Sequence, residues 1–350
     1  MTAINKQRSR VLDVAKGLAM LLVVYAHINY KRESLIYIYS FHMPFFFLLS
    51  GVFFDKKKYS FSQFVKNRFV KLICPYLFFS VLLLVATIAI EIVTGGFSLQ
   101  TIESLKSPFI QIFIAQNSSV MLCAPLWFVP CLFVVEILYY AISKLKTPFI
   151  VLICSLLVVA GWLLESKFAF VSAYLPWSID SALFSIGFYA IGNLAAAPIK
   201  AGINKIQESK YKMPISLTLA LVLLVSIAPL AFLNGKITLG SKILNNGFLL
   251  YLTGVLGTAG VIALSIALEK ISFLSFLGKN TFCIMSVHYF INYYLKATLV
   301  KLGFEGYDIT NVVHTVVPFI VVLGLSCLCV LIYNYAKKIV FSKKQKCSSV

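Results

Sequence analysis

Apolar residues gather in ten long runs, near 11–30, 38–54, 70–93, 120–142, 148–164, 177–197, 213–232, 246–268, 280–299 and 313–336. A helix needs about 20 mostly apolar residues to cross the hydrocarbon core of a bilayer, and no polar stretch between the runs is long enough to fold separately in water. The pattern predicts an all-α integral membrane protein with about ten transmembrane helices. It predicts one transmembrane domain over 1–340 and a basic cytoplasmic tail over 341–350. The second, fifth and seventh runs are short or interrupted, which suits tilted or partly re-entrant segments.

Composition agrees with the pattern, since 60% of the 350 residues are hydrophobic and 12% charged, against about 25% charged in soluble domains. A soluble globular protein is excluded. The net charge of +19 raises the question of nucleic acid, but the basic residues sit in short clusters between apolar runs, as membrane topology and anionic headgroups require. The N-terminus, the loops 55–71, 143–147, 198–212 and 269–279 and the C-terminal tail hold 22 of the 31 Lys and Arg, whereas the alternate loops hold 8. By the positive-inside rule both termini face the cytoplasm. The eight cysteines form no CxxC pair and no Cys/His ligand spacing, so neither a disulfide framework nor a metal site is expected. The first run follows Lys6, Arg8 and Arg10 as a signal peptide would, yet it contains Asp13 and Lys16 and lacks a small-x-small cleavage site, so it is expected to stay as the first helix.

Ionisable residues inside a span are costly and mark candidate functional sites. The first run holds Asp13, Lys16 and His27. On an α-helix the step from Lys16 to His27 turns about 1100°, roughly 20° beyond three full turns, and rises about 16 Å, so the two side chains share a face. Asp13 lies one turn before Lys16 on nearly the same stripe. His42 opens the second span within Phe41-His42-Met43-Pro44-Phe45-Phe46-Phe47, ahead of Ser50-Gly51, at a depth similar to that of His27. Arg68 and Lys71, as helical i,i+3 neighbours, offer a planar fork and a point charge suited to phosphate. Trp127 begins the fourth span, which contains Glu136, and His288 follows Gly278-Lys279-Asn280-Thr281. Each residue also has a simpler account: an interfacial Asp/Lys pair with a snorkelling lysine, a topology anchor, a belt tryptophan, a hydrogen-bonded structural histidine. The residues taken singly leave both accounts open.

Taken in order, the segments resemble the acyltransferase-3 family of membrane acyltransferases, in particular its fucose 4-O-acetylase-like branch. The resemblance rests on Leu12-Asp13-Val14-Ala15-Lys16-Gly17 with His27 after ten intervening residues and on Phe41 to Gly51. It extends to Arg68-x-x-Lys71 before Pro75-Tyr76, Leu126-Trp127-Phe128, and Gly278-x-Asn280-Thr281 with His288. It implies transfer of an acyl group, usually acetyl, from cytoplasmic acetyl-CoA to a hydroxyl of a glycan or glycolipid at the outer face of a bacterial plasma (inner) membrane, by a stand-alone domain. Acyl-CoA would then be a donor substrate and not a resident cofactor, and the partners would be the acceptor and membrane lipids, with no nucleic acid. With the resemblance, His27 is the expected base with His42 in reserve, Lys16, Arg68 and Lys71 are expected at the donor phosphates, and Asp13, Ser50, Trp127 and His288 in substrate binding. Lys16 and Lys71 stand where the family often has Arg, which keeps charge but loses a bidentate fork. A neutral His with a pKa near 6.5 suits proton removal from a sugar hydroxyl. Direct transfer and an acyl-His intermediate both fit. The competing class is a transporter or flippase for a glycolipid or small anion, although no paired broken helices are visible. An inert biosynthetic scaffold would tolerate loss of the polar residues.

Overall fold

The computed structural model describes residues 9–28, 31–95, 99–115, 124–168, 175–240, 243–302 and 312–347. These fold into fifteen helices: α1 (Arg10–Ile28), α2 (Arg32–Tyr39), α3 (His42–Val52), α4 (Phe61–Arg68), α5 (Cys74–Val93), α6 (Leu99–Ile114), α7 (Phe128–Ile142), α8 (Thr147–Lys167), α9 (Ile179–Leu194), α10 (Ala196–Glu208), α11 (Lys212–Asn234), α12 (Gly247–Ala267), α13 (Ser272–Lys279), α14 (Thr281–Lys301) and α15 (Val312–Cys347). Among the described residues the only β pairing is one isolated antiparallel bridge, Thr238 to Ile243.

Eight helical stretches are long and apolar enough to cross a membrane, and α9 with α10 makes a ninth if that pair, bent by 55°, counts as one span. The expected tenth, near 280–299, coincides with α14, whose 21 residues include His288, Asn292, Lys296 and Lys301 and are correspondingly less apolar. The chain is a multi-pass, all-helical membrane protein. Of the basic residues that set the charge asymmetry, Lys6, Arg8 and Lys242 lie outside the described residues. Single cysteines at Glu103 and Glu208, both exposed, in a cysteine-free background should react with an impermeant label from outside and inside respectively. Equal access at the two positions would refute the expected topology.

The apolar runs did not disclose α2, α4, α6, α10 or α13, because short or amphipathic helices leave no span-length signal. Helix α6 and its Pro108 occupy a stretch expected to be loop. Helix α4 starts at a capping box in which Gln63 N–H donates to Ser60 Oγ and Ser60 N–H donates to Gln63 Oε1. It runs into α5 through a π-helical turn, Phe69–Ile73.

Burial sorts the spans into two shells. The hydrophobic window of α1 is 67% buried and that of Ala124–Ile142 72%, against 17% for Thr147–Leu164 and 22% for α11. Helices apolar on every side can face lipid, so α8 and α11 form the outer shell and the polar-bearing α1, α3 and α7 the inner one. The inner shell is tight where glycines meet backbone. A Cβ on Gly17 would collide with the Leu274 carbonyl, and one on Gly278 with the Asp13 carbonyl, so α1 and α13 touch along their main chains. Gly278→Ala is expected to cost about 1–3 kcal/mol through overpacking, seen as a lower melting temperature in detergent. Gly202→Ala, whose Cβ would meet nothing within 4 Å, should be neutral or stabilising. On the basic side, Glu269 joins Lys212 and Gln207. Partial burial would raise its pKa, but the hydrogen bonds from those two residues outweigh it and hold the carboxyl below its ordinary value.

Candidate functional site

The last turn of α1, the first turn of α3, the 3-10 turn Ala124–Trp127 and the segment between α11 and α12 converge at the poorly charged end of the bundle. They enclose a cavity of about 120 Å³. Met20, Val23 and His27 line it from α1, and His42, Met43 and Phe46 from α3. Trp127 and Gly240 close it from the loops, the indole lying so close to Gly240 that a Cβ there would strike Nε1. Trp127 is therefore a buried wall residue and not a belt anchor exposed to lipid.

Three histidines share one local geometry. The Nδ1 atoms of His27, His42 and His288 lie 2.8, 2.9 and 2.9 Å from the carbonyl oxygens of Val23, Ile38 and Ile284, each one helical turn back. A carbonyl only accepts, so each ring donates its Nδ1 hydrogen and, when neutral, keeps its lone pair on Nε2. That is the tautomer a general base or nucleophile needs. Only His27 and His42 line the cavity. The His288 ring is fully buried, with its centroid 5.1 Å from that of His27 in an edge-on arrangement, and among the described residues its Nε2 has no hydrogen-bond partner. One turn further along α14, Asn292 Nδ2 donates to the His27 carbonyl at 2.9 Å, which ties α14 to α1 beside the ring. Tyr289 adds a ring at 5.7 Å, and Tyr39 lies against His42 at 4.9 Å.

The other sequence candidates lie away from the cavity. Lys16 is paired with Asp13 at 3.0 Å and lies 5.4 Å from the Phe53 ring centre. Asp13 is 1% exposed, so this is a buried carboxylate with its cation and not an interfacial pair. Ser50 donates to the Phe46 carbonyl in its own helix. Arg68 forms an ion pair with the buried Glu136, Nε to Oε2 at 3.0 Å. Lys71 sits exposed within the π turn that follows Arg68. The structure thus brings His27 and His42 together and adds His288, but it separates them from two pairs of charges. Among the described residues no group of three His, Cys, Asp or Glu could hold a metal ion.

The family model Acyl_transf_3, described as an acyltransferase domain, matches residues 10–332. The chain belongs to the acyltransferase-3 family. Comparison with curated proteins and with solved structures found no match. In an acyltransferase, a cavity carrying two histidines whose Nε2 atoms have no hydrogen-bond partner among the described residues can take a proton from an attacking nucleophile. The sequence reasoning missed Tyr39, Tyr289 and Asn292 around that cavity. Asn292 had a usable signal, an amide within an expected span one turn from His288. Tyr39 had one as well, standing three positions before His42.

Proposed function

We propose that this membrane acyltransferase moves acetyl from cytoplasmic acetyl-CoA to a hydroxyl of a cell-surface glycan or its lipid-linked precursor, in a bacterial plasma membrane. The observation that carries the reading is the course of α1. Asp13, Lys16, Met20, Val23 and His27 follow one another at three- and four-residue steps, a single stripe from the basic end of the bundle to the histidine cavity. A donor charged at one end and acylated at the other can lie along such a stripe with its thioester beside His27. His27 Nε2 takes the proton of the acceptor hydroxyl as its oxygen attacks the thioester carbonyl. The C–S bond then breaks, and the imidazolium returns the proton to the departing thiolate. The cavity has room for about four waters at roughly 30 Å³ each, enough for an acetyl group and the reacting hydroxyl. The rest of the acceptor would lie outside it. The branch resemblance supports acetyl as the group moved.

The test is transfer by purified protein in lipid nanodiscs, supplied with labelled acetyl-CoA and a panel of glycans and lipid-linked glycans. The reading requires label in a glycan with equimolar release of coenzyme A. Release of coenzyme A with label appearing only in acetate, or passage of a glycolipid across the bilayer without transfer, would refute it.

A further inference from the structure

At the basic end of the same α1 stripe lies a second cavity, of about 340 Å³, lined by Arg10, Asp13, Ser272, Ser275, Phe276 and Lys279. Its two walls, α1 and α13, are locked together by the Gly17 and Gly278 contacts. Arg10 Nη2 donates to the Lys270 carbonyl at 2.9 Å and to Ser272 Oγ at 3.2 Å, which fixes the guanidinium and, among the described residues, leaves further N–H donors unused. Asp13 contributes little net charge, because Lys16 is paired with it. Ser275 is only 5% exposed as a residue, but it lines the cavity, and among the described residues its hydroxyl has no hydrogen-bond partner, so it is left for water or a ligand. Lys279 likewise has no ion-pair partner among the described residues.

Two exposed cations, a hydroxyl facing the cavity and an aromatic wall suit a phosphate ester attached to a planar base. We propose that this cavity binds phosphate and, if acyl-CoA is the donor, holds the phosphates of its nucleotide end. Arg10 and Lys279 supply the countercharge, the Ser275 hydroxyl donates to a phosphate oxygen, and Phe276 flanks the base. The assignment rests on the acyl-CoA reading only for the identity of the ligand. It differs from the sequence expectation, in which Arg68, Lys71 and Lys16 met the donor, because Arg68 and Lys16 are already engaged by Glu136 and Asp13.

An anionic phospholipid headgroup offers the same phosphate chemistry, so the experiment separates the sources. Coenzyme A and, in a second series, inorganic pyrophosphate are titrated by calorimetry into the full chain in phosphatidylcholine nanodiscs. Lys279→Gln and Arg10→Gln should each weaken coenzyme A binding by about tenfold or more, and Ser275→Ala by several-fold, while Lys66→Gln, an exposed lysine elsewhere, should have no effect. Unchanged affinity in Lys279→Gln and Ser275→Ala would overturn the site while leaving the acyl-CoA reading intact. Pyrophosphate bound in a Lys279-dependent manner by protein that ignores coenzyme A would uphold the site and refute that donor. Binding of neither would overturn the site. Phosphatidylglycerol in the nanodisc that displaces the Lys279-dependent ligand would show that a headgroup enters the same site, and no displacement would assign the site to soluble phosphate alone.

Discussion

His27→Ala is expected to lower acyl transfer by about 10²–10⁴-fold, the contribution typical of a general base, at saturating donor and acceptor. The fold should survive, because the bond that anchors α14 at this point runs from Asn292 to the His27 backbone carbonyl and does not involve the ring. Donor binding should survive too, since the ring lies about 26 Å of helical rise from Arg10, at the cavity assigned to the donor phosphates. His42→Ala should have a smaller effect, as that ring shares the cavity without ending the α1 stripe. The decisive measurement is turnover by folded His27→Ala protein with its affinity for acyl-CoA measured alongside. Near-normal turnover would remove His27 from the chemistry and leave His42 as the base.

Arg68→Ala is expected to cost stability before it costs anything else. The Glu136 side chain is 3% exposed, and removing the cation from a buried pair typically costs about 3–5 kcal/mol because the remaining charge is left uncompensated. Arg68→Leu combined with Glu136→Leu should recover most of that loss, since an apolar replacement of both partners is often neutral or better. Melting temperatures of the single and double variants in one detergent form the check. An Arg68→Ala protein that melts like the parent and only raises the Michaelis constant for acyl-CoA would return the guanidinium to the donor. Lys71, exposed and in no ion pair among the described residues, is the better probe of donor contact in that segment.

Much of this was legible because a bilayer imposes long-wavelength order on a sequence. Within the described residues each of the ten apolar runs is mostly helix, since an unpaired backbone in hydrocarbon is too costly for any other local solution. The Lys16-to-His27 face was equally legible, being a property of one helix and its 100° step. The short helices were not. Helix α13 has eight residues and no span-length signal, yet it forms a wall of the phosphate cavity.

The sequence alone thus determined the membrane class, the helical runs, the family resemblance and the stripe on α1, all of which follow from periodicity or order along one chain. Only the tertiary structure decided which polar residues meet. Arg68 and Glu136 are 68 positions apart, and His27 and Asn292 are 265 apart. The packing of separate helices brings such pairs together, and no local pattern encodes that packing. The same holds for the charges. Any of several basic residues could have met a phosphate by type, and the structure separates them because a buried carboxylate must take a cation as its partner. Asp13 and Glu136 take Lys16 and Arg68, and Arg10 and Lys279 remain at an open cavity.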